Sequence, residues 1–295
     1  MDPVSGLPQP LAELPNPLGL QGIEYVEYTT AAPQALGQLL ETMGFRPLAR
    51  HRSREILLYR QGNLNVLVNG HPGIVRPVQV SEEPRISAIA LRVHDARTAY
   101  EHALANGAWD VPPHAQVMEL NIPGIHGPGG AHFYFVDRWR DFSIFDVDFI
   151  PIPGVDPSPP SVAGIHFFGV VQDAGRDRTE DWVEFYRRLL GFQRLPEEER
   201  FGILPRGTLL RSPCNSFFIQ LVEPHLTTVL YDEIERFNRI GLGVPDVLAA
   251  VTALRRSGID FYELPQLHTE PRGALTRTYL RSVSFELVKH EDPAP

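Results

Sequence analysis

Cysteine is nearly missing from this chain of 295 residues: Cys214 is the single one. An intrachain disulfide is thereby excluded, and so is a thiolate metal cluster. No stretch reaches the roughly 18 apolar residues of a membrane span. The proline-rich start, Met1 to Pro17, has no basic region followed by a long apolar run, so it does not read as a signal peptide. Clustered basic charge is missing too. With 27 Lys and Arg against 36 Asp and Glu the net charge is −9, which speaks against a nucleic acid or an anionic membrane as partner. There is no phosphate-binding Walker sequence. His126-Gly127-Pro128-Gly129-Gly130 has the look of an oxyanion-hole loop, but no G-x-S-x-G elbow accompanies it, and a turn is the better reading. The expectation is a soluble cytoplasmic protein.

What the chain does have is internal repetition. Gly22-Ile23-Glu24-Tyr25-Val26 leads into an amphipathic stretch that ends Met43-Gly44-Phe45. Gly164-Ile165-His166-Phe167-Phe168 leads into a similar stretch that ends Leu190-Gly191-Phe192. Two related segments start at Ile89 and Ile240 and run through Asp95 and Asp246 to Asn106-Gly107 and Ser257-Gly258. One unit is thus present four times, as two pairs.

Periodicity within the units predicts strand, helix and three strands. The first half reads as strand 23–29, helix 33–43 and strands 45–51, 55–60 and 63–69. It continues with a strand from Ile86, helix 96–106 and strands 132–137 and 143–149. Residues 150–161 hold five prolines, and proline fixes φ and lacks the ladder donor, so this stretch is a linker. The second half repeats the plan: strand 164–171, helix 180–190, strands within 193–223, strand 237–244, helix 245–257, and strands 275–281 and 283–289. The fold class is α+β, with each sheet covered by helices on one face and concave toward a ligand on the other.

Several segments resemble the 4-hydroxyphenylpyruvate dioxygenase family. They include Asn16 to Glu24, Met43-Gly44-Phe45, His51-Arg52-Ser53, Leu58 to Gly62, Asn65, Asn69, Met118 to Pro123, Gly129-Gly130-Ala131 and Phe145 to Phe149. The match is dense over about residues 16–170 and thinner beyond. The resemblance implies a vicinal oxygen chelate fold, with tandem βαβββ modules forming two open-barrel domains. Residues 1–17 are then an N-terminal arm, 18–150 a first domain without a metal site, 151–162 the linker, and 163–295 a second domain with the active site. It also implies chemistry: two histidines and one glutamate hold Fe(II) on one face, a facial triad suited to O₂ activation on an aromatic 2-oxo acid.

By the same resemblance, His166 stands at the first histidine and Glu286 at the glutamate. Arg239 stands at the second histidine. Arginine has five N–H donors and no usable lone pair, so it cannot replace an imidazole as ligand. The equivalent first-half positions are read as Tyr25, Ala88 and Asp146. Two functions follow. One is a dioxygenase-like enzyme acting on an aromatic 2-oxo acid or a related phenolic acid, with His166 and Glu286 as ligands to Fe(II) or another divalent metal and Arg239, Gln220 and Ser284 facing substrate; Ser212 and Asn215 are further polar candidates. Its third ligand would be water, His225 or His268. The other is a metal-free binding protein in which Arg239 pairs with Glu286 or with an anionic ligand. The partner is a small acidic or aromatic molecule, and a homodimer is the commonest assembly for such a chain. The chain ends nine residues after Glu286, without the helix that closes the family's site, so an open site is expected.

Overall fold

The computed structural model describes residues 15–70, 83–112, 119–203, 207–223 and 235–291. The tip of the expected N-terminal arm, Met118 and His225 lie outside them. The first half contains β1 (Leu20–Thr29), α1 (Pro33–Thr42), β2 (Arg46–His51), β3 (Ile56–Gln61), β4 (Leu64–Asn69), β5 (Arg85–Val93), α2 (Ala96–Ala105), β6 (Gly124–His126), β7 (His132–Val136), α3 (Ile144–Asp148) and β8 (Phe149–Pro151). The second half contains β9 (His166–Asp173), α4 (Thr179–Leu190), β10 (Gln193–Arg194), β11 (Thr208–Arg211), β12 (Phe218–Val222), β13 (Arg236–Val244), α5 (Val247–Arg256), β14 (Gly273–Leu275) and β15 (Phe285–Lys289).

The repeat in the sequence is a repeat in topology. The first sheet has the order β6-β7-β5-β1-β4-β3-β2-β8 and the second β10-β11-β12-β9-β13-β15-β14. Read in reverse, the second order matches the first strand for strand, with β8 as the one addition. Each sheet is centred on an antiparallel pair, β1 with β5 and β9 with β13. Each central strand then pairs in parallel with a later one: β1 with β4, β5 with β7, β9 with β12 and β13 with β15. Two mixed, open sheets with few helices are the α+β, vicinal oxygen chelate fold.

The local signals that start and stop the helices recur as well. Asp95 caps α2 by accepting from Thr98 N at 2.6 Å, and Asp246 caps α5 by accepting from Ala249 N at 3.0 Å. These caps leave one fewer orphan donor at each helix start. After the four long helices come Gly44, Gly107, Gly191 and Gly258, all with positive φ, where a side chain would be strained.

The apolar stripes of α1, α2, α4 and α5 enter one core that also takes the convex faces of both sheets. Its centre is aromatic. The Phe133 ring of β7 lies 6.1 Å from that of Tyr186 in α4 and 5.7 Å from that of Phe237 in β13, both nearly edge-on. The concave faces carry smaller apolar clusters of their own, one around Tyr25, Ile56 and Phe145 and one around Phe168, Leu209 and Phe218. Among the described residues no helix is long and apolar enough to cross a membrane.

Three expectations need correction. Residues 143–149 are not a strand but α3, entered through Ser143. The Asp146 carboxylate accepts from the Ser143 backbone N–H at 2.7 Å and from its hydroxyl at 3.0 Å, a reciprocal cap that outweighs the alternating apolar pattern. The strand expected over 275–281 ends at Leu275; Leu280 and Arg281 have positive φ in the turn that brings Tyr279 back to Val283. Finally, the second and fourth units fall one strand short of βαβββ. The strand after α2 and the strand after α5 shrink to single bridges, Asp110 with Ile125 and Phe261 with Thr276.

The proline-rich stretch does lack regular structure between β8 and a short turn at 162–164, yet it is fastened down. Gly62 N donates to Pro159 O at 2.8 Å, Arg60 Nη1 to Pro157 O at 3.1 Å, and Val162 N to Gln61 Oε1 at 3.0 Å.

Candidate functional site

On the second sheet, Arg239 projects from β13 and Glu286 from β15. The strands are parallel neighbours, with Gly241 opposite Glu286. Arg239 lies two residues before Gly241 and so on the same face. Its Nε donates to Glu286 Oε2 at 3.2 Å, and its Nη1 to Asn238 Oδ1 at 3.1 Å. Glu286 is buried at 3% exposure and Arg239 largely so at 12%. A carboxylate this deep needs a cation, and the cation it meets is the guanidinium.

His166 is elsewhere on the same sheet. It opens β9 opposite Gly243, two residues along β13 from the row that holds Glu286. Its Nε2 is 3.0 Å from His290 Nδ1, and its Nδ1 is 3.1 Å from Gly164 O. Gly243 makes room for it, because a Cβ there would overlap the imidazole. His290, just beyond β15, was not among the residues expected at the site. Its signal was present: Glu286, Val288 and His290 continue one period-two face past the end of the strand.

The expected polar lining is only partly assembled. Gln220 of β12 shares with Glu286 the wall of a cavity of about 20 Å³, room for about one water. Ser284 is buried, two residues before Glu286, but does not line that cavity. His268 is half exposed and faces Glu270 at 3.6 Å. Ser212 is a turn residue whose hydroxyl accepts from Phe217 N at 3.2 Å, and Asn215 sits in the same turn with positive φ.

The expectation of an open site is overturned. The segment before β11 lies over Glu286: a Cβ at Gly202 would overlap Oε1, and the Phe201 ring packs 5.1 Å from Phe168 and 4.8 Å from Phe218.

Taken as a donor set, these residues do not fit a three-ligand iron site. One position is a fixed cation, Glu286 is engaged by that cation, and His166 is turned to His290. Among the described residues no three His, Cys, Asp or Glu side chains lie close enough together to hold a metal.

The first sheet shows where the counterparts are. Ala90 pairs with Tyr134 as Gly241 pairs with Glu286. The counterpart of Glu286 is therefore Tyr134 and not Asp146, which is in α3. In the Gly-Ile-x motif the residue that matches His166 is Glu24, not Tyr25, while by strand pairing Gly22 stands opposite Arg92 as His166 stands opposite Gly243. Glu24 is buried and paired with Arg92 at 2.5 Å. Ala88 does stand where Arg239 stands, opposite the start of β7. Tyr25, Glu27, His51, Tyr134 and Asp148 gather instead around a cavity on this sheet's concave face.

Loss of hydration pushes the Glu27 and Asp148 carboxyls above the usual carboxylate range and lowers the His51 imidazole below its ordinary value. The Tyr134 phenol is pushed up to about 12 by burial. A raised carboxylate binds its proton in the native state at a pH where the unfolded chain has released it. Its stabilisation is present below the unfolded pKa and is lost as pH rises through the folded value. Glu27→Gln is therefore expected to raise Tm at pH 7 relative to the parent and to leave Tm near pH 4 unchanged. Thermal melts from pH 4 to 8 would refute this if the two curves stayed parallel.

A family model described as hydroxyphenylpyruvate dioxygenase, HPPD, N-terminal, matches residues 14–150. The 4-hydroxyphenylpyruvate dioxygenase of Pseudomonas aeruginosa is 33% identical over 294 residues, an alignment that covers 94% of this chain and 78% of that protein. The chain belongs to the 4-hydroxyphenylpyruvate dioxygenase family. Two solved structures share the fold. A xylose isomerase-like TIM barrel/4-hydroxyphenylpyruvate dioxygenase fusion protein superposes with TM-score 0.74 at 21% identity, covering 98% of this chain and 52% of that one. A mutant of 4-hydroxymandelate synthase from Streptomyces coelicolor superposes with TM-score 0.71 at 16% identity, covering 94% of each chain. Membership in a dioxygenase family thus meets a second sheet on which the positions expected from the sequence to hold a metal carry His166, Arg239 and Glu286.

Proposed function

We propose that this chain is a non-haem Fe(II) dioxygenase-type enzyme of its family, acting on an aromatic 2-oxo acid at the concave face of the second sheet. The observation that supports this reading is the match to the Pseudomonas aeruginosa dioxygenase, which runs through both halves of the chain. In this reading residues 18–150 and 163–295 are the two modules, 1–17 an arm and 151–162 the linker. The protein is cytoplasmic and forms a homodimer. His166 and Glu286 are the metal-side residues, and Arg239, Gln220 and Ser284 face the substrate. Arg239 is the natural partner for the substrate carboxylate, since guanidinium and carboxylate match in charge and geometry. It would exchange Glu286 for that carboxylate, and the Phe201–Gly202 cover would have to lift to admit an aromatic ring. No step through iron is assigned, because the donors do not meet.

The ion pair between Arg239 and Glu286 favours a second reading. In it the module holds no metal, and Arg239 either anchors an anionic ligand or closes the cavity. Loading with Fe(II) under argon, followed by metal analysis and O₂ uptake with 4-hydroxyphenylpyruvate, separates the two. About one iron per chain with substrate-dependent O₂ uptake is expected of the enzyme. Absence of both, with saturable 4-hydroxyphenylpyruvate binding that Arg239→Ala abolishes, would replace it by the binding protein. Arg239→His is expected to raise iron content in either case, since it restores a neutral imidazole where the guanidinium stands.

A further inference from the structure

The concave face of the first sheet, the half read from the sequence as having no site, holds a cavity of about 150 Å³. We propose that this cavity binds a compact organic cation: an ammonium group carried on a single ring or a branched aliphatic body.

Tyr25 points to a ligand first. It lines the cavity at 5% exposure, and its hydroxyl has no hydrogen-bond partner among the described residues. That hydroxyl is not sealed off but keeps accessible surface at the cavity, so it is a donor and acceptor open to whatever occupies the space. Glu27 points to the sign of the charge. Its carboxylate accepts from two neutral donors, Asn69 Nδ2 at 3.0 Å and Ser87 Oγ at 3.1 Å, and makes no ion pair among the described residues. Asp148, which also lines the cavity and is 6% exposed, accepts from Leu120 N at 3.2 Å and likewise has no ion pair among them. The arginine at the wall, Arg54, is held by Glu119 at 2.5 Å. Three carboxylates, Glu27, Glu119 and Asp148, thus share the single guanidinium of Arg54 at the cavity wall, and negative charge is in excess. An anion such as a 2-oxo acid would be repelled, and a protonated amine would find its counter-charge with Tyr25 beside it.

Size and walls fix the body of the ligand. Leu67 and Ile144 supply apolar surface, and an apolar cavity of about 150 Å³ is known to hold one benzene ring. A protonated amine on one ring matches both the volume and the charge. The cavity is distinct from the site on the second sheet, whose pocket is built from β9, β12, β13 and β15.

Titration of the full chain with benzylammonium chloride at pH 7, followed by calorimetry or ligand-observed NMR, tests this. Phenylacetate serves as the same ring with the opposite charge. Saturable binding is expected with a Kd on the order of 1 mM or tighter, with phenylacetate at least about tenfold weaker. Tyr25→Phe and Glu27→Gln should each weaken benzylammonium about tenfold or more, as loss of a charge-assisted or otherwise unpaired hydrogen bond does. Addition of 4-hydroxyphenylpyruvate should not displace it. Near-UV circular dichroism reports whether each variant is folded; if Glu27→Gln is not, Tyr25→Phe decides alone. No saturation, equal binding of phenylacetate, displacement by 4-hydroxyphenylpyruvate, or unchanged affinity in the folded variants would each overturn the proposal.

Discussion

Arg239→Met is expected to lower the stability of the protein by about 3 kcal/mol, because it removes the guanidinium that meets a buried carboxylate. Glu286 is 3% exposed and takes a hydrogen bond from Arg239 Nε. Methionine keeps most of the arginine stem's volume, so the loss isolates the charge rather than opening a cavity. In a chain of this size the drop corresponds to roughly 6–12 °C in Tm. The double substitution Arg239→Met with Glu286→Leu should recover most of it, since removing both charges also removes the desolvation cost that the pair carries. Urea or thermal unfolding of the parent, Arg239→Met, Glu286→Leu and the double variant gives the coupling directly. A double variant no more stable than Arg239→Met would mean that the two side chains do not depend on each other, and the ion-pair account of the site would fail.

The second large effect is expected at Phe133. Its ring is 1% exposed and meets Phe185 and Tyr186 of α4 and Phe237 of β13. It belongs to the first sheet, and its partners belong to the second half. Phe133→Ala should cost about 3–5 kcal/mol, the usual range for deleting a buried aromatic ring. The loss should fall on both halves together, because one core serves both sheets. Calorimetry should show a single transition moved to lower temperature. A loss below about 1 kcal/mol, or two separated transitions of which only one moves, would argue that the halves have separate cores.

Both effects depend on features of different visibility in the chain. The helices could be read because their signals are local: Asp95 and Asp246 at the starts, glycines at the ends, and apolar residues at helical spacing between them. The long strands could be read for the same reason. Where two local signals compete, as at 143–149, the alternating apolar pattern suggested a strand, and the Ser143–Asp146 cap settled it as a helix. The short strands of the second and fourth units could not be read, because a strand of one bridge has no period.

The site divides along the same line. That arginine at position 239 cannot ligate a metal follows from its chemistry alone, and so does the need of a buried Glu286 for a cation. Composition likewise excluded disulfides and thiolate clusters before any fold was known. Which cation Glu286 meets, and that His166 turns to His290 instead of joining it, depends on register between β9, β13 and β15. Strand pairing also moved the first-sheet counterpart of Glu286 from Asp146, which lies in α3, to Tyr134, which stands opposite Ala90 as Glu286 stands opposite Gly241. The first-sheet cavity was equally invisible, because Tyr25, Glu27, Tyr134 and Asp148 come from β1, β7 and α3 and share no local motif. Secondary structure and residue chemistry are short-range properties that a single chain displays in order. Which charges face each other, and which hydroxyl is left without a partner, are settled only when strands distant in sequence are laid side by side.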